Sequence, residues 1–214
     1  IEKFLEKSKA IATFAESRPR LLFAVDATAS RQPTWNIARK LQSEMFLATR
    51  KSTSLSVQLC YFRGFHDFYA SAWLTDSTEL AQNMSRVRCE GGHTQIGRLL
   101  KHAQAEHAKS AIKALVFIGD ANEESADTLC NMAGQCGLLK LPLFMFQEGR
   151  NPTVKQTFSE MARLSGGAFA FFDQHSADTL AALLGAVARY AAGGRKALQK
   201  HDSDVAKALL QQLP

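Results

Sequence analysis

Two apolar runs, each ending in aspartate, constrain the fold of this chain most. Leu21-Leu22-Phe23-Ala24-Val25 leads without a polar break into Asp26, and Ala114-Leu115-Val116-Phe117-Ile118-Gly119 leads into Asp120. Strands this continuous in apolar character are buried on both faces, the condition of parallel strands covered by helices. After the first run, Pro33 opens a helix over 34–50, with Trp35, Ala38, Leu41 and Met45 on one stripe. Runs at 55–63 and 68–74 read as strands, and the short turn Gly64-Phe65-His66-Asp67 between them predicts an antiparallel hairpin. Helices are then expected over 77–86, 95–108, 125–138, 153–164 and 176–192, alternating with strands at 113–120, 142–147 and 168–172. The order predicts an α/β fold: a doubly wound, mostly parallel sheet with one antiparallel edge strand and helices on both faces.

Three regions are expected along the 214 residues. Residues 1–19 carry an amphipathic helical pattern (Phe4, Leu5, Ile11, Phe14) closed by Pro19, and 20–192 form the folded domain. Residues 193–214 form a polar helical tail, read as a linker or a partner-binding helix. The first residue is Ile1 and not Met, in keeping with a fragment. Ser125-Ala126-Asp127-Thr128-Leu129 and Ser176-Ala177-Asp178-Thr179-Leu180 repeat one capping formula, serine at the N-cap with aspartate in the first turn. Phe144, Phe146, Phe169, Phe171 and Phe172 are expected in the core.

Apolar residues make up 46% and charged residues 21%, the composition of a soluble globular protein with no stretch long enough to span a bilayer. The net charge of +6 suits an acidic partner. The basic residues (Arg18, Arg20, Arg39, Lys40, Arg50, Lys51, Arg86, Arg88) are scattered, so charge does not point to nucleic acid. Cys60, Cys89, Cys130 and Cys136 form no CxxC pair, which speaks against zinc and for a reducing, cytoplasmic compartment. On one helix, Cys130 and Cys136 would stand about 9 Å apart, too far to bridge.

The pentapeptide Asp26-Ala27-Thr28-Ala29-Ser30 sets a carboxylate and two hydroxyls at alternate positions directly after a buried strand. Thr94, after Glu90-Gly91-Gly92-His93, and Asp120 supply further oxygens. Ligands of doubly wound sheets collect at the carboxyl ends of the strands, so the three segments are expected to converge there. Such hard oxygens favour magnesium, manganese or calcium. Taken singly, each segment is also explained by turn and cap chemistry.

This ordered set resembles the metal-ion-dependent adhesion site of von Willebrand factor type A domains, over about residues 20–190. The resemblance implies a Rossmann-like fold of that family and a noncatalytic protein-binding module, with Mg2+, or Mn2+ or Ca2+, as its cofactor. Thr28 and Ser30 would ligate directly, Thr94 directly or through water, and Asp26 and Asp120 would hold coordinated waters. One position would remain for an acidic side chain of a partner protein. The chain departs from the family in having Thr28 for the more frequent serine, His93 and Gln95 beside Thr94, and Ala121-Asn122-Glu123-Glu124 after Asp120. Glu123 is read as a solvated first-turn residue of the next helix in preference to an extra outer-shell acid.

Two alternatives belong to other classes. A magnesium-dependent phosphohydrolase of the haloacid dehalogenase type would need a second acid two residues past Asp26, where this chain has Thr28. A scaffold with a vestigial metal site is the other. His102, Glu106 and His107 are in the wrong order for HExxH and are read as surface residues. Gly91-Gly92 matches neither the P-loop nor the GxGxxG pattern.

Overall fold

The computed structural model describes residues 18–49, 54–173 and 177–214; the expected N-terminal helix and the Ser176 cap lie outside them. Six strands form one sheet: β1 Arg20–Asp26, β2 Ser56–Arg63, β3 Asp67–Leu74, β4 Ile112–Gly119, β5 Leu143–Glu148 and β6 Ala168–Phe172. Their spatial order is β3-β2-β1-β4-β5-β6, parallel throughout except for β3, which pairs antiparallel with β2 as the short turn predicted. The helices are α1 Gln32–Leu41, α2 Ser43–Thr49, α3 Ser77–Ser85, α4 Ile96–Lys109, α5 Ala126–Leu138, α6 Pro152–Ser165, α7 Ala177–Gln199 and α8 Asp204–Leu210.

The apolar runs are continuous because the central strands serve two cores. Leu21, Phe23 and Val25 of β1 join Val116 and Ile118 of β4 and Phe144 and Phe146 of β5 on one face. Trp35 of α1, Met45 of α2, Leu80 of α3 and Leu183 and Val187 of α7 cover that face. Leu22 and Ala24 point the other way with Leu115 and Phe117, under Leu99 of α4, Leu129 of α5 and Phe158 of α6. Period-2 alternation of side chains does this without any polar residue in the run.

Local chemistry sets most boundaries. Asp76 caps α3, its carboxylate accepting from the amides of Thr78 and Glu79 at 2.7 and 3.2 Å. Ser125 caps α5 as expected, accepting from Thr128 N at 3.5 Å with Asp127 in the first turn. Asn151 caps α6, with Pro152 at its start and Gly166 at φ +73° at its end. The single helix expected over 34–50 is two, because the bonding tightens to an i→i+3 link at Gln42, Met45 N to Gln42 O at 3.2 Å. Phe144, Phe146 and Phe172 are core; Phe169 and Phe171 are only half-buried, because β6 is an edge strand.

The polar tail does not project. Gly193 and Gly194 break α7, and the chain folds back so that Leu198, Ala206, Leu209 and Leu213 enter the first core. The Gln212 amide accepts from Phe169 N at 2.9 Å and donates to Phe169 O at 3.0 Å, satisfying two backbone groups of β6. All four cysteines are free, and among the described residues no helix is long and apolar enough to cross a membrane.

At the amino end of β1, Arg20 lies 3.6 Å over the Trp73 ring and pairs with Glu106 at 3.0 Å. Glu106 also accepts from Trp73 Nε1 at 3.0 Å and from Lys109 at 2.6 Å. The Lys109 bond, then those of Trp73 and the charge of Arg20, hold the Glu106 carboxyl down at about 2 against the effect of burial. A carboxyl depressed in the folded state stabilises above its unfolded value and loses that contribution as pH falls. Glu106→Gln is therefore expected to cost about 1–2 kcal/mol at pH 7, with the difference from the unsubstituted chain vanishing between about pH 4.5 and 2. Urea unfolding at pH 7 and pH 3 checks this.

His102 and His107, expected at the surface, have structural partners instead. His102 Nε2 is 2.9 Å from Gln58 Oε1, and His107 Nδ1 accepts from Ile112 N at 3.2 Å.

Candidate metal centre

Asp26 sits at the last residue of β1, and the parallel pairing of Val25 with Ile118 sets it beside the end of β4 and so beside Asp120. Beyond Asp26 the chain stays extended: Ala27 N donates to Phe62 O at 3.0 Å, and Glu90 N donates to Ala27 O at 3.1 Å. Thr28 also bridges Glu90 in parallel register. These bonds draw the loop leading to Thr94 against the pentapeptide. The loop is seated from the other side by the β2–β3 turn, where His93 N donates to Gly64 O at 3.2 Å.

Asp26 is fully buried. Its Oδ1 accepts from Thr28 N at 2.8 Å, while its Oδ2 is buried with no hydrogen-bond partner. Burial pushes the Asp26 carboxyl up to about 6; the amide and hydroxyl of Thr28 oppose this, the charge of Asp120 adds to it, and that of Arg31 subtracts. A buried carboxylate oxygen left without a partner is costly unless a proton, a donor or a cation meets it. Thr28 is half-buried and Ser30 exposed.

Thr94 is buried and held by the segment after Asp120. Thr94 N donates to Glu123 Oε2 at 2.6 Å, and Glu123 N donates to Thr94 Oγ1 at 3.0 Å. Glu124 completes the clamp, accepting from Ile96 N and Gly97 N at 2.6 and 2.8 Å at the amino end of α4. This corrects the reading of Glu123 as a helix residue: helix α5 starts three residues later, and Glu123 is tied to the Thr94 loop. The sequence reasoning also missed Glu124.

It missed Arg31 and Glu148 as well. Arg31 is buried; its guanidinium pairs with Asp120 at 2.9 Å and with Glu148, to which Thr34 also donates, and its Nε lies 3.4 Å from Ser30 Oγ. Glu148 ends β5, the same strand-end position that drew attention to Asp26 and Asp120, so that signal was present.

The five expected residues thus lie on three linked segments at one sheet end. Asp26 and Thr28 touch, Asp26 feels the charge of Asp120, Ser30 and Asp120 share Arg31, and Thr94 is tied to the loop beyond Asp120. Among the described residues, no three His, Cys, Asp or Glu side chains gather into a metal-holding group. The implied donors contain only two residues of those types, the rest being hydroxyls, and the orphaned Asp26 Oδ2 fits a hard cation.

No protein-family profile and no curated protein sequence matches the chain. Solved structures do match. A von Willebrand factor type A protein from Catenulispora acidiphila aligns with a TM-score of 0.65 at 18% identity, over 83% of this chain and 43% of that one. The SpRpn10 VWA domain aligns at 0.59 and 10%, over 76% and 95%. The vWF domain of the type V pili tip protein Mfa5 from Porphyromonas gingivalis aligns at 0.59 and 9%, over 79% and 93%. Similarity at these identities speaks to architecture, and in architecture the chain is similar to von Willebrand factor type A domains.

Proposed function

We propose that this chain is a noncatalytic protein-binding module in which a divalent cation, Mg2+ or else Mn2+ or Ca2+, bridges Asp26, Thr28, Ser30, Thr94 and Asp120 to an acidic side chain of a partner. The buried, unpartnered Asp26 Oδ2 beside the hydroxyl-bearing loop carries the reading. A bound ion would supply a Lewis-acid position for the partner's carboxylate. The chain's own residues supply the rest: Thr28 N fixes the Asp26 rotamer, and the Glu123 and Glu124 contacts fix the Thr94 loop. The phosphohydrolase alternative gains nothing, since Thr28 stands where its proton-transfer acid is needed.

The test is capture of partners from native lysate in magnesium, in chelator, and with Asp26→Ala in magnesium. Capture should be lost in the second and third conditions, while circular dichroism shows an unchanged fold. Identical capture under all three conditions refutes the reading.

A further inference from the structure

A cationic side chain of the protein itself already stands in this cluster. Arg31 follows Ser30 directly, and its guanidinium reaches back to meet Asp120 at 2.9 Å, Glu148, and Ser30 Oγ at 3.4 Å. Two of these three groups, Ser30 and Asp120, belong to the proposed metal site. With its side chain 10% exposed, Arg31 has little contact with water. From these contacts we infer that Arg31 is the resident cation of the site and competes with the divalent ion for Asp120 and Ser30. The inference rests on the metal-binding reading above.

The competition follows from charge and connectivity. A divalent ion and a guanidinium sharing Asp120 would repel one another at short range, in surroundings that screen poorly. The ion therefore enters only when Arg31 releases Asp120. Glu148 retains the guanidinium when that happens, since it lies one strand further from Asp26, at the end of β5. Without the ion, Arg31 neutralises acids that would otherwise face one another at the sheet end. The cost to metal affinity equals the fraction of time that Arg31 stands clear: if that is about 1–10%, apparent affinity falls about 10- to 100-fold.

The experiment is titration calorimetry of the chain with Mn2+ alone. Unsubstituted protein, Arg31→Gln, Arg31→Gln/Glu148→Gln and Arg31→Gln/Asp26→Asn are compared, with circular dichroism on each. The Glu148 substitution removes the buried carboxylate that loss of Arg31 would leave unpaired, so one Arg31 variant keeps its fold. Mn2+ should bind at least about tenfold more tightly once Arg31 is gone, and adding Asp26→Asn should abolish this. Binding by the Arg31 variants alone supports the inference even more strongly. Equal or weaker binding by a folded Arg31 variant overturns it, and the metal reading survives if the unsubstituted chain still binds. Absence of binding in every protein overturns both.

Discussion

Gly92→Ala should destabilise the chain by about 3 kcal/mol and, on the metal-binding reading proposed above, abolish Mn2+ binding, whereas Gly91→Ala should change neither. The two glycines are neighbours in the turn before Thr94, but their surroundings differ. A Cβ on Gly92 would lie 1.8 Å from the carbonyl oxygen of Gly64 and 2.4 Å from its Cα, while one on Gly91 meets nothing within 4 Å. The obstacle at Gly92 is backbone in the β2–β3 turn, which has no rotamer with which to yield. The Thr94 loop must lift instead, losing the His93 N to Gly64 O bond and moving Thr94 from the Glu123 clamp. Thermal unfolding and Mn2+ calorimetry on both variants decide the matter. A Gly92→Ala protein with ordinary stability and metal affinity would show that this contact does not position Thr94.

Phe117→Ala should cost about 3–5 kcal/mol, enough to lower the melting temperature by roughly 10 °C in a chain of this size. Phe117 is fully buried at the centre of the second core, with ring centroids 5.9 Å from Phe62 and 5.6 Å from Phe158. Its neighbours come from β2 and α6, elements that cannot both collapse into the space left. Its ring also lies against Gly119, whose absent Cβ would stand 2.8 Å from it, so the residue before Asp120 is packed on this phenylalanine. Leu138→Ala serves as the control: Leu138 is 87% exposed at the end of α5 and should change stability by no more than about 0.5 kcal/mol. Denaturant titration of the two variants compares them directly.

Most of the architecture was legible along the chain because its causes are local. Apolar continuity in Leu21–Val25 and Ala114–Gly119 required burial on both faces, and a turn as short as Gly64–Asp67 permitted only an antiparallel partner. Serine ahead of an aspartate-bearing first turn announced the start of α5. The strand-end carboxylates Asp26 and Asp120 were readable by the same logic, since parallel strands must deliver their carboxyl ends to one edge.

What the sequence alone determined, then, was periodicity, capping and the acids and hydroxyls placed at strand ends. These depend on spacing within a few residues and on the rise of a helix or strand. Tertiary structure alone decided which charges meet. Arg31 and Glu148 lie 117 residues apart, Thr94 and Glu123 29, and Phe169 and Gln212 43. Glu123 looked like a helix residue, and the tail like an appendage, because contacts across such separations leave no mark in local spacing. They depend on the layers that hydrophobic burial builds, where the position of each side chain in space decides its partner.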